Sequence, residues 1–328
     1  MQHSSVRGRF APSPTGLMHV GNARTALLAW LSVRQQSGTF VWRLEDIDAP
    51  RVVAGMAEAA AEDLQWLGLD WDEGPVQGGA YGPYVQAERL ALYETALTQL
   101  HDAGQVFPCT YSRKDLKNLA SAPHGLGVQS PYPVTLRPKT LPADWFEALQ
   151  SGITEQPNIR FRVERGSRTF EDLVQGEVAQ DVQQAVGDFV IKRRDGLFAY
   201  QLAVVVDDLA MEISEVVRGE DLLHSTARQI LLIEALGGRQ PIYAHVPLIR
   251  NAAGEKLSKR DDGLTLRALR EVGVQPALLV GYFAYSLGLV EEIIPLQPGA
   301  LLSYFRWEKI TKKDWVLPAD LAGLLTTI

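Results

Sequence analysis

The sequence has little cysteine and no long apolar run. Its 328 residues include one cysteine, Cys109, which excludes an intramolecular disulfide and any zinc site built only from cysteines. No stretch approaches the ~18 consecutive apolar residues of a membrane-spanning helix. The first ten residues, MQHSSVRGRF, lack the apolar segment of a signal peptide. We therefore expect a cytoplasmic protein with no membrane partner, and we expect it to be a monomer.

The sequence also lacks an excess of positive charge. Its formal net charge is -7, so the whole molecule does not attract nucleic acid. Any nucleic-acid partner must be held by local basic patches. Two candidates are RALR at 267–270 and WEKITKKDW at 307–315. They either contact backbone phosphates or form helix faces in water, and the sequence favours neither.

The first forty or so residues have the pattern of a βαβ unit. VRGRF is strand-like and leads into a loop rich in proline and glycine. NARTALLAWLSVRQQSG then has apolar residues at helical spacing, with Gly38 placed as a C-cap. TFVWRLED is again strand-like. Residues 51–71 and 85–104 are two further predicted helical segments.

The rest of the chain predicts an insertion within an α/β domain. From about 105 the sequence becomes rich in Pro, Gly and Ser, with short strands such as IRFRV. FAYQLAVVVDD and SEVVRGEDLL, both strand-like, then resume the first domain, and STARQILLIEALG forms a helix. The predicted division is 1–104 and 187–250 for the two halves of the α/β domain, 105–186 for the insertion, and 251–328 for a basic helical region.

The loop APSPTGLMHVGN, residues 11–22, is suited to a phosphate group. It lies between a predicted strand and a predicted helix, and ligands of parallel sheets bind where strands end and the next helix begins. A helix N-terminus offers unpaired N–H groups and a partial positive charge. His19 and Asn22 are three residues apart and so share one face. A lone histidine in a turn is also often only a surface or capping residue, and no Gly-Lys-Ser/Thr follows as in a P-loop.

The second candidate element is EKLSKRDDG. Lys256 and Lys259 flank a small hydroxyl residue beside Gly254 and Gly263, which indicates a cationic loop. A solvated charge run is the alternative. The order of the two elements along the chain favours a function for both.

Together these segments resemble a known family. RFAPSPTGLMHVGNARTAL and KLSKR are similar to the two signatures of class I aminoacyl-tRNA synthetases. RLEDIDAPR, AYQLAVVVDD and VVRGEDLL narrow the resemblance to the glutamyl-tRNA synthetase group. The similarity runs from Gly8 to about Arg270. It implies a Rossmann-like parallel sheet with an inserted α+β subdomain and a short helical C-terminal region.

The resemblance implies activation of glutamate by ATP. The α-carboxylate attacks the α-phosphorus and pyrophosphate leaves, so no general base is needed. By resemblance, Arg9 and Arg218 bind the γ-carboxylate and Glu45 binds the ammonium group. A guanidinium fork suits a carboxylate because it donates two parallel hydrogen bonds. The implied glutamate-binding residues are Arg9, Ser13, Glu45, Tyr200 and Arg218, with Gln201 as a weaker neighbour.

The same resemblance implies the nucleotide site. His19, Lys256 and Lys259 are the expected catalytic residues, because they stabilise the charge that develops as pyrophosphate departs. Mg²⁺ is expected with ATP, although no dedicated carboxylate cage is evident. Asp207 and Asp208 are interpreted as strand-end or loop residues. The implied ATP-binding residues are His19, Gly21, Asn22, Lys256, Ser258 and Lys259.

The chain departs from full-length glutamyl-tRNA synthetases in its length. About seventy residues follow the lysine loop, which predicts no anticodon-binding domain. This resembles the shortened paralogues, the glutamyl-queuosine tRNA(Asp) synthetases, and Gln201 fits them better than the histidine usual in the longer enzymes. The resemblance implies transfer of glutamate to queuosine in the anticodon loop of tRNA(Asp). The alternatives are an enzyme that charges a tRNA 3′ end, a non-catalytic amino-acid or nucleotide binding module and, more distantly, a cofactor nucleotidyltransferase.

The second departure concerns zinc. Relatives often bind zinc in the insertion with a Cys-x-Cys pair, a tyrosine and a further cysteine. Here Tyr111 takes the second cysteine position, Tyr132 is kept, and Leu136 takes the last one. Two thiolates are missing from a site that needs about four ligands. His124 lies between Pro and Gly in a loop, which is typical of a surface residue, so we expect no metal site.

We predict that Lys259→Ala slows adenylate formation and leaves glutamate binding nearly intact. Loss of one transition-state donor costs on the order of 10²–10³ in rate. Pyrophosphate exchange measures the rate, and calorimetric titration with glutamate measures binding. Equal losses in both measurements would count against this role.

Overall fold

The computed structural model describes residues 5–111, 115, 131–151, 156–257 and 262–327. Its strands are β1 Arg7–Phe10, β2 Thr39–Trp42, β3 Val106–Cys109, β4 Asn158–Phe161, β5 Ser167–Asp172, β6 Gly176–Asp181, β7 Phe189–Lys192, β8 Glu215–Gly219, β9 Ile242–Val246, β10 Ile249–Arg250 and β11 Trp315–Val316. Its α-helices are Val20–Gln35, Met56–Trp66, Leu90–Asp102, Trp145–Gln150, Val182–Ala185, Tyr200–Ala210, Leu223–Ala235, Leu266–Glu271, Pro276–Ser286 and Leu321–Thr327.

The main sheet positions the functional site. Its strand order is β2-β1-β8-β9-β5-β6, and all neighbours are parallel except the β5–β6 hairpin at one edge. The chain leaves β1 through the helix Val20–Gln35 toward β2, whereas β8 lies on the opposite side of β1. The strand order therefore reverses between β1 and β8, where open parallel sheets bind ligands. The predicted α/β fold with a parallel sheet is confirmed.

A second, antiparallel sheet has the order β3-β4-β7. It contains strands from the predicted insertion together with β7, which follows residue 187 in the chain. The hairpin β5–β6 lies within 105–186 but extends the main sheet through the pairing of Asp172 with Tyr243. Strands of the predicted insertion, 105–186, therefore belong to both sheets. The domain boundaries at 104, 186 and 250 remain a prediction.

The prediction of a strand at FAYQLAVVVDD is wrong. Residues Tyr200–Ala210 form a helix, and Asp207 and Asp208 lie in its last turns rather than in a strand end or loop. The five residues from Leu202 to Val206 are all buried in one apolar cluster. A continuous apolar run has no period that distinguishes a buried helix from a buried strand, so packing decided the outcome.

Other predicted helices are confirmed with different ends. The first begins at Val20 and ends at Gln35, so Gly38 is not its C-cap. A Cβ at Gly38 would lie 2.4 Å from the carbonyl oxygen of Val6, so close backbone approach explains this glycine. The segments predicted at 51–71 and 85–104 contain the shorter helices Met56–Trp66 and Leu90–Asp102, each preceded by a short 3₁₀ turn.

The C-terminal region packs against the first helix. Arg24 is buried in that helix and donates to Ser286 Oγ and to the carbonyl of Pro247. In this way one side chain joins the first helix to the segment after β9 and to the helix Pro276–Ser286. Among the described residues, no helix has the length and apolarity needed to cross a membrane.

Gly281 allows the close approach of this C-terminal helix to the following loop. A Cβ there would lie 1.7 Å from the carbonyl oxygen of Ile294. We expect Gly281→Ala to lower the free energy of unfolding by about 1–3 kcal/mol, despite the better helix propensity of alanine. Gly299→Ala is the control, since no atom lies within 4 Å of its added Cβ. Urea unfolding compares the two, and equal stabilities would refute the steric argument.

Candidate active site

A cleft of about 940 Å³ opens at the carboxyl ends of β1 and β8. It is lined by side chains from both strands, from the loop after β1, from the segment after β2 and from the start of the helix Tyr200–Ala210. Apart from the weaker candidate Gln201, the structure brings together every predicted site residue that it describes. Ser258 and Lys259 lie outside the described residues. The predicted residues that line the cleft are Arg9, Ser13, His19, Gly21, Asn22, Glu45, Tyr200, Arg218 and Lys256.

The loop after β1 forms one wall of the cleft. His19 is the N-cap residue of the helix Val20–Gln35, with extended φ and ψ of -84° and 157°. Gly21 and Asn22 are in the first turn, so their backbone N–H groups belong to the unpaired set at a helix N-terminus. A Cβ on Gly21 would meet Leu257 and Ile249 only at 3.7 and 3.8 Å. The wall therefore combines a partial positive charge with space for an anionic ligand.

The cationic loop is fastened beside this helix N-terminus on both of its sides. Before the loop, Arg250 and Lys256 form an antiparallel β-bridge. After it, Thr265 bridges His19, and the N–H of Leu266 donates to the carbonyl of Met18. These contacts place Lys256 and Thr265, the described residues on either side of 258–261, at the same wall. Lys256 forms an ion pair with Asp221, at 2.5 Å between Nζ and Oδ2, across the cleft.

The opposite part of the cleft contains a buried network of arginines and carboxylates. Arg9 Nε lies 3.3 Å from Asp208 Oδ1, and Arg43 Nη1 lies 2.7 Å from the same oxygen. Arg43 Nη2 also donates to Glu45 Oε1 at 3.1 Å. Arg43 is fully buried. Asp208 therefore joins Arg9, which lines the cleft, to the arginine that orients Glu45.

Asp207 lies deeper in the protein than Asp208 and compensates the charge of Arg89. Its carboxylate accepts from Arg89 Nε at 2.6 Å, from Gln86 Nε2 at 2.7 Å and from the hydroxyl of Tyr93. Both this carboxylate and that of Asp208 are thus occupied by protein donors. The sequence analysis interpreted Asp207 and Asp208 as strand-end or loop residues. That interpretation is wrong, because both lie in a helix and form buried ion pairs.

Burial and ion pairing set the protonation of the two carboxylates nearest the cleft. Burial raises the pKa of Glu45, and the positive charges of Arg43 and Arg9 only partly oppose it. Burial alone would also raise the pKa of Asp208, but Arg9 and Arg43 lower it below its ordinary value. Asp208 is therefore a stable anion, whereas Glu45 gains from a further cation such as an ammonium group.

Arg218 is held differently from Arg9. Its Nε donates to His245 Nε2 at 3.0 Å, and its Nη2 donates to Thr226 Oγ1 at 2.9 Å. Nη1 is buried and has no hydrogen-bond partner among the described residues. His245 Nδ1 in turn contacts Asp172 Oδ2 at 2.6 Å. Arg218, which lines the cleft together with Tyr200, therefore has an N–H group that no described residue accepts.

Gln201 does not line the cleft. It donates to Ser225 Oγ and accepts from Gln229 Nε2, so its amide is used within the fold. The sequence analysis missed Arg43, Thr226 and His245 as supporting residues. Arg43 stands two residues before Glu45, a spacing that in an extended chain puts both on one face. The other two carry no local signal.

The positions that correspond to zinc ligands lie close together. The thiol of Cys109 is 3.6 Å from the hydroxyl of Tyr132, which donates to the carbonyl of Leu136. Tyr111 is nearby, with its carbonyl 4.0 Å from the same sulfur. Within the described ranges, no group of three or more His, Cys, Asp or Glu side chains could hold a metal ion. His124 lies outside those ranges, and the expectation of no zinc remains a prediction.

The two basic segments have mixed roles. Arg267 and Arg270 are exposed and lie near the buried carboxylate of Asp63, whose pKa is raised by burial to about 6 against their opposing effect. In the second segment, Asp314 accepts from the N–H of Leu248 and Trp315 donates to the hydroxyl of Tyr282. Part of that segment therefore supports the fold, and contact with nucleic acid stays a prediction for both.

Sequence comparison shows which protein family the chain belongs to. Residues 5–294 match the family described as tRNA synthetases class I (E and Q), catalytic domain. The match covers most of the chain, so the protein belongs to this family of ligases. Members use ATP with Mg²⁺, which agrees with a cleft lined by a helix N-terminus and a lysine.

Similarity to individual proteins is more specific than the match to the family. The chain is 46% identical to the glutamyl-Q tRNA(Asp) synthetase of Symbiobacterium thermophilum, over 97% of this chain and 98% of that protein. It is 44% identical to the protein of the same name from Nitratidesulfovibrio vulgaris, over 98% of both chains. Its fold is similar to the glutamate-tRNA synthetase of Elizabethkingia anophelis, with a TM-score of 0.85, 30% identity, and coverage of 98% of this chain and 70% of that one.

Asp208→Asn is expected to destabilise the protein by about 3 kcal/mol, because it leaves buried Arg43 with less compensation. Since the folded-state pKa of Asp208 is lowered, its contribution is present above the unfolded value of about 3.9 and is lost as pH falls further. The difference between wild type and variant should therefore shrink below about pH 4.

The control is Asp195→Asn, which removes an exposed ion pair with Arg193 and should cost less than about 1 kcal/mol. Urea unfolding at pH 7 and at pH 3.5 measures both variants. Equal effects of the two substitutions at pH 7 would contradict the role of the buried network.

Proposed function

We propose that the protein activates L-glutamate with ATP to form glutamyl-adenylate, and transfers the glutamate to queuosine in the anticodon loop of tRNA(Asp). The observation that carries the first half is the meeting of Arg9, Glu45, Tyr200 and Arg218 in one cleft with the helix N-terminus at His19. The second half is supported by similarity, over almost the whole length, to relatives named glutamyl-Q tRNA(Asp) synthetase.

The charge arrangement suits glutamate. Arg218 offers an unpartnered buried N–H, and Arg9 lies on the neighbouring strand, so a γ-carboxylate meets two guanidinium groups. Glu45 accepts from Arg43 through one carboxylate oxygen, Oε1, and the group faces the cleft, where it binds the ammonium group. The hydroxyls of Tyr200 and Ser13 complete the pocket with neutral hydrogen bonds. These contacts hold both ends of the substrate and leave its α-carboxylate to attack ATP.

The triphosphate lies over the helix N-terminus. The N–H groups near Gly21 and Asn22 bind it, and His19 donates to it. Lys256 leaves Asp221 and, with Ser258 and Lys259, stabilises the charge on the departing pyrophosphate. Positioning and electrostatics supply the rate enhancement, because the attacking carboxylate is already ionised.

The acceptor is queuosine, because an anticodon-loop base presents its edges and substituents for direct recognition. The chain acts on it as a cytoplasmic monomer. The alternative acceptor is a tRNA 3′ end, which is supported by 44% identity to glutamate–tRNA ligase 2 of Acidithiobacillus ferrooxidans over 85% of this chain and 58% of that protein. A non-catalytic binding module is the least favoured candidate, since it has no use for a lysine loop beside a phosphate site.

The test supplies labelled glutamate, ATP and total tRNA prepared with and without queuosine, and then locates the label. We expect label on tRNA(Asp) only when queuosine is present. Arg218→Gln should reduce labelling at least about 100-fold, since it removes a charged hydrogen-bond donor. Arg239→Gln, on an exposed arginine before β9, is the matched control and should leave labelling unchanged.

Other distributions of label would contradict the proposal in different ways. Label on tRNA(Glu) would support charging of a 3′ end. Pyrophosphate exchange that does not respond to glutamate, together with no labelled tRNA, would support a binding module.

A further inference from the structure

Two cleft arginines differ in how their charges are compensated. Arg9 lies 3.3 Å from the carboxylate of Asp208, which it shares with Arg43, so it has a counter-ion within the protein. Among the described residues, no carboxylate oxygen lies within 4 Å of Arg218, although only 5% of Arg218 is exposed. Its two bound N–H groups donate to a histidine nitrogen and a threonine hydroxyl, which are both neutral acceptors.

The tautomer of His245 follows from its partners. A guanidinium has only donors, so the Nε2 atom that receives Arg218 Nε–H must be unprotonated. Nδ1 then carries the proton and donates to Asp172 Oδ2 at 2.6 Å. Burial and the charges of Arg218 and Arg9 lower the pKa of His245, against the opposing effect of Asp172. The imidazole is therefore neutral and separates the carboxylate of Asp172 from Arg218.

Asp172 is fixed in place by the backbone. It accepts from the N–H groups of Val174, Gln175 and His245 at 2.9–3.1 Å. Burial would raise its pKa, but the hydrogen bonds from the His245 side chain and from the N–H groups of Gln175 and His245 lower it. The carboxylate thus orients the imidazole without reaching the arginine. Parallel pairing of β8 and β9 puts Arg218 directly opposite His245, which fixes the contact.

We propose that His245 is a specificity-determining positioning residue, which holds Arg218 through a neutral acceptor so that its uncompensated charge selects glutamate over glutamine. This inference rests on the proposed function. A buried guanidinium without a counter-ion is costly, and a substrate carboxylate removes that cost whereas an amide does not. Arg9, already paired with Asp208, contributes hydrogen bonds but little of this selectivity. The charge that distinguishes the two amino acids is therefore that of Arg218.

The test titrates the full chain with L-glutamate and with L-glutamine by isothermal titration calorimetry. His245→Leu removes the acceptor and should weaken glutamate binding about 10- to 100-fold. His245→Gln restores a neutral acceptor and should remain within about threefold of wild type. His101→Leu is the matched control, because His101 stacks on Phe146 outside the cleft and should bind as wild type does. Equal, wild-type affinities in both His245 variants would overturn the inference.

A second pair of variants differs only in charge. Thr226→Asn gives Arg218 a neutral partner and Thr226→Asp a charged one of the same size. We expect the ratio of glutamate to glutamine affinity to stay within about threefold of wild type in T226N, and to fall at least about tenfold in T226D. An equal ratio in T226N and T226D would overturn the inference.

The tautomer of His245 can be measured in the wild-type protein. Nitrogen-15 NMR of the histidine-labelled wild type should show His245 neutral at pH 7, with the proton on Nδ1. An imidazolium or an Nε2–H tautomer would overturn the inference, even if a His245 variant fails to fold. Glutamate binding by the wild type distinguishes failure of the proposed function from failure of this inference. If the wild type does not bind glutamate, the proposed function is overturned. If it binds glutamate and the variants bind as it does, only this inference is overturned.

Discussion

The burial of several guanidinium groups at the carboxyl ends of β1 and β8 is the constraint on which the site depends. Each buried charge needs a partner, and the fold supplies them unequally. Arg43 and Arg9 share Asp208, whereas Arg218 receives only neutral acceptors. The unequal compensation leaves Glu45 in the cleft beside Arg218, for which no carboxylate oxygen lies within 4 Å among the described residues. That pattern is complementary to an amino acid with a carboxylate side chain.

The side of the cleft formed by the loop after β1 is held mainly by backbone contacts. The loop after β1 ends in a helix N-terminus, and the bridge from His19 to Thr265 fastens the segment after the lysine loop to it. Arg24 joins the same helix to Ser286, so the helix Pro276–Ser286 supports this wall from behind. The difference between the two sides of the cleft has a physical basis. Phosphates are well bound by N–H dipoles and mobile lysines, while a small amino acid needs fixed side chains.

The small antiparallel sheet is held by side-chain contacts among the described residues. Arg137 forms a bidentate pair with Asp188, and the carbonyl of Asp188 accepts from Arg160. The guanidinium of Arg160 also lies 4.2 Å from the centre of the Tyr132 ring. These contacts, with the thiol of Cys109 against the Tyr132 hydroxyl, connect the three strands. Its last strand, β7, leads directly into the helix that carries Tyr200, so the sheet also positions one wall of the cleft.

Local pattern by itself determined the loop after β1, the strand and helix on either side of it, and, through resemblance, nine residues that the structure brings together in one cleft. Such features are readable because strand, turn and helix N-terminus are contiguous in the chain. Only the tertiary structure decided that Tyr200–Ala210 is a helix, since its apolar run fits either a buried helix or a buried strand. Only the tertiary structure paired Asp172 with His245, which are 73 residues apart, and Arg43 with Asp208. Partners of that kind are set by strand order and burial, and no spacing along the chain encodes them.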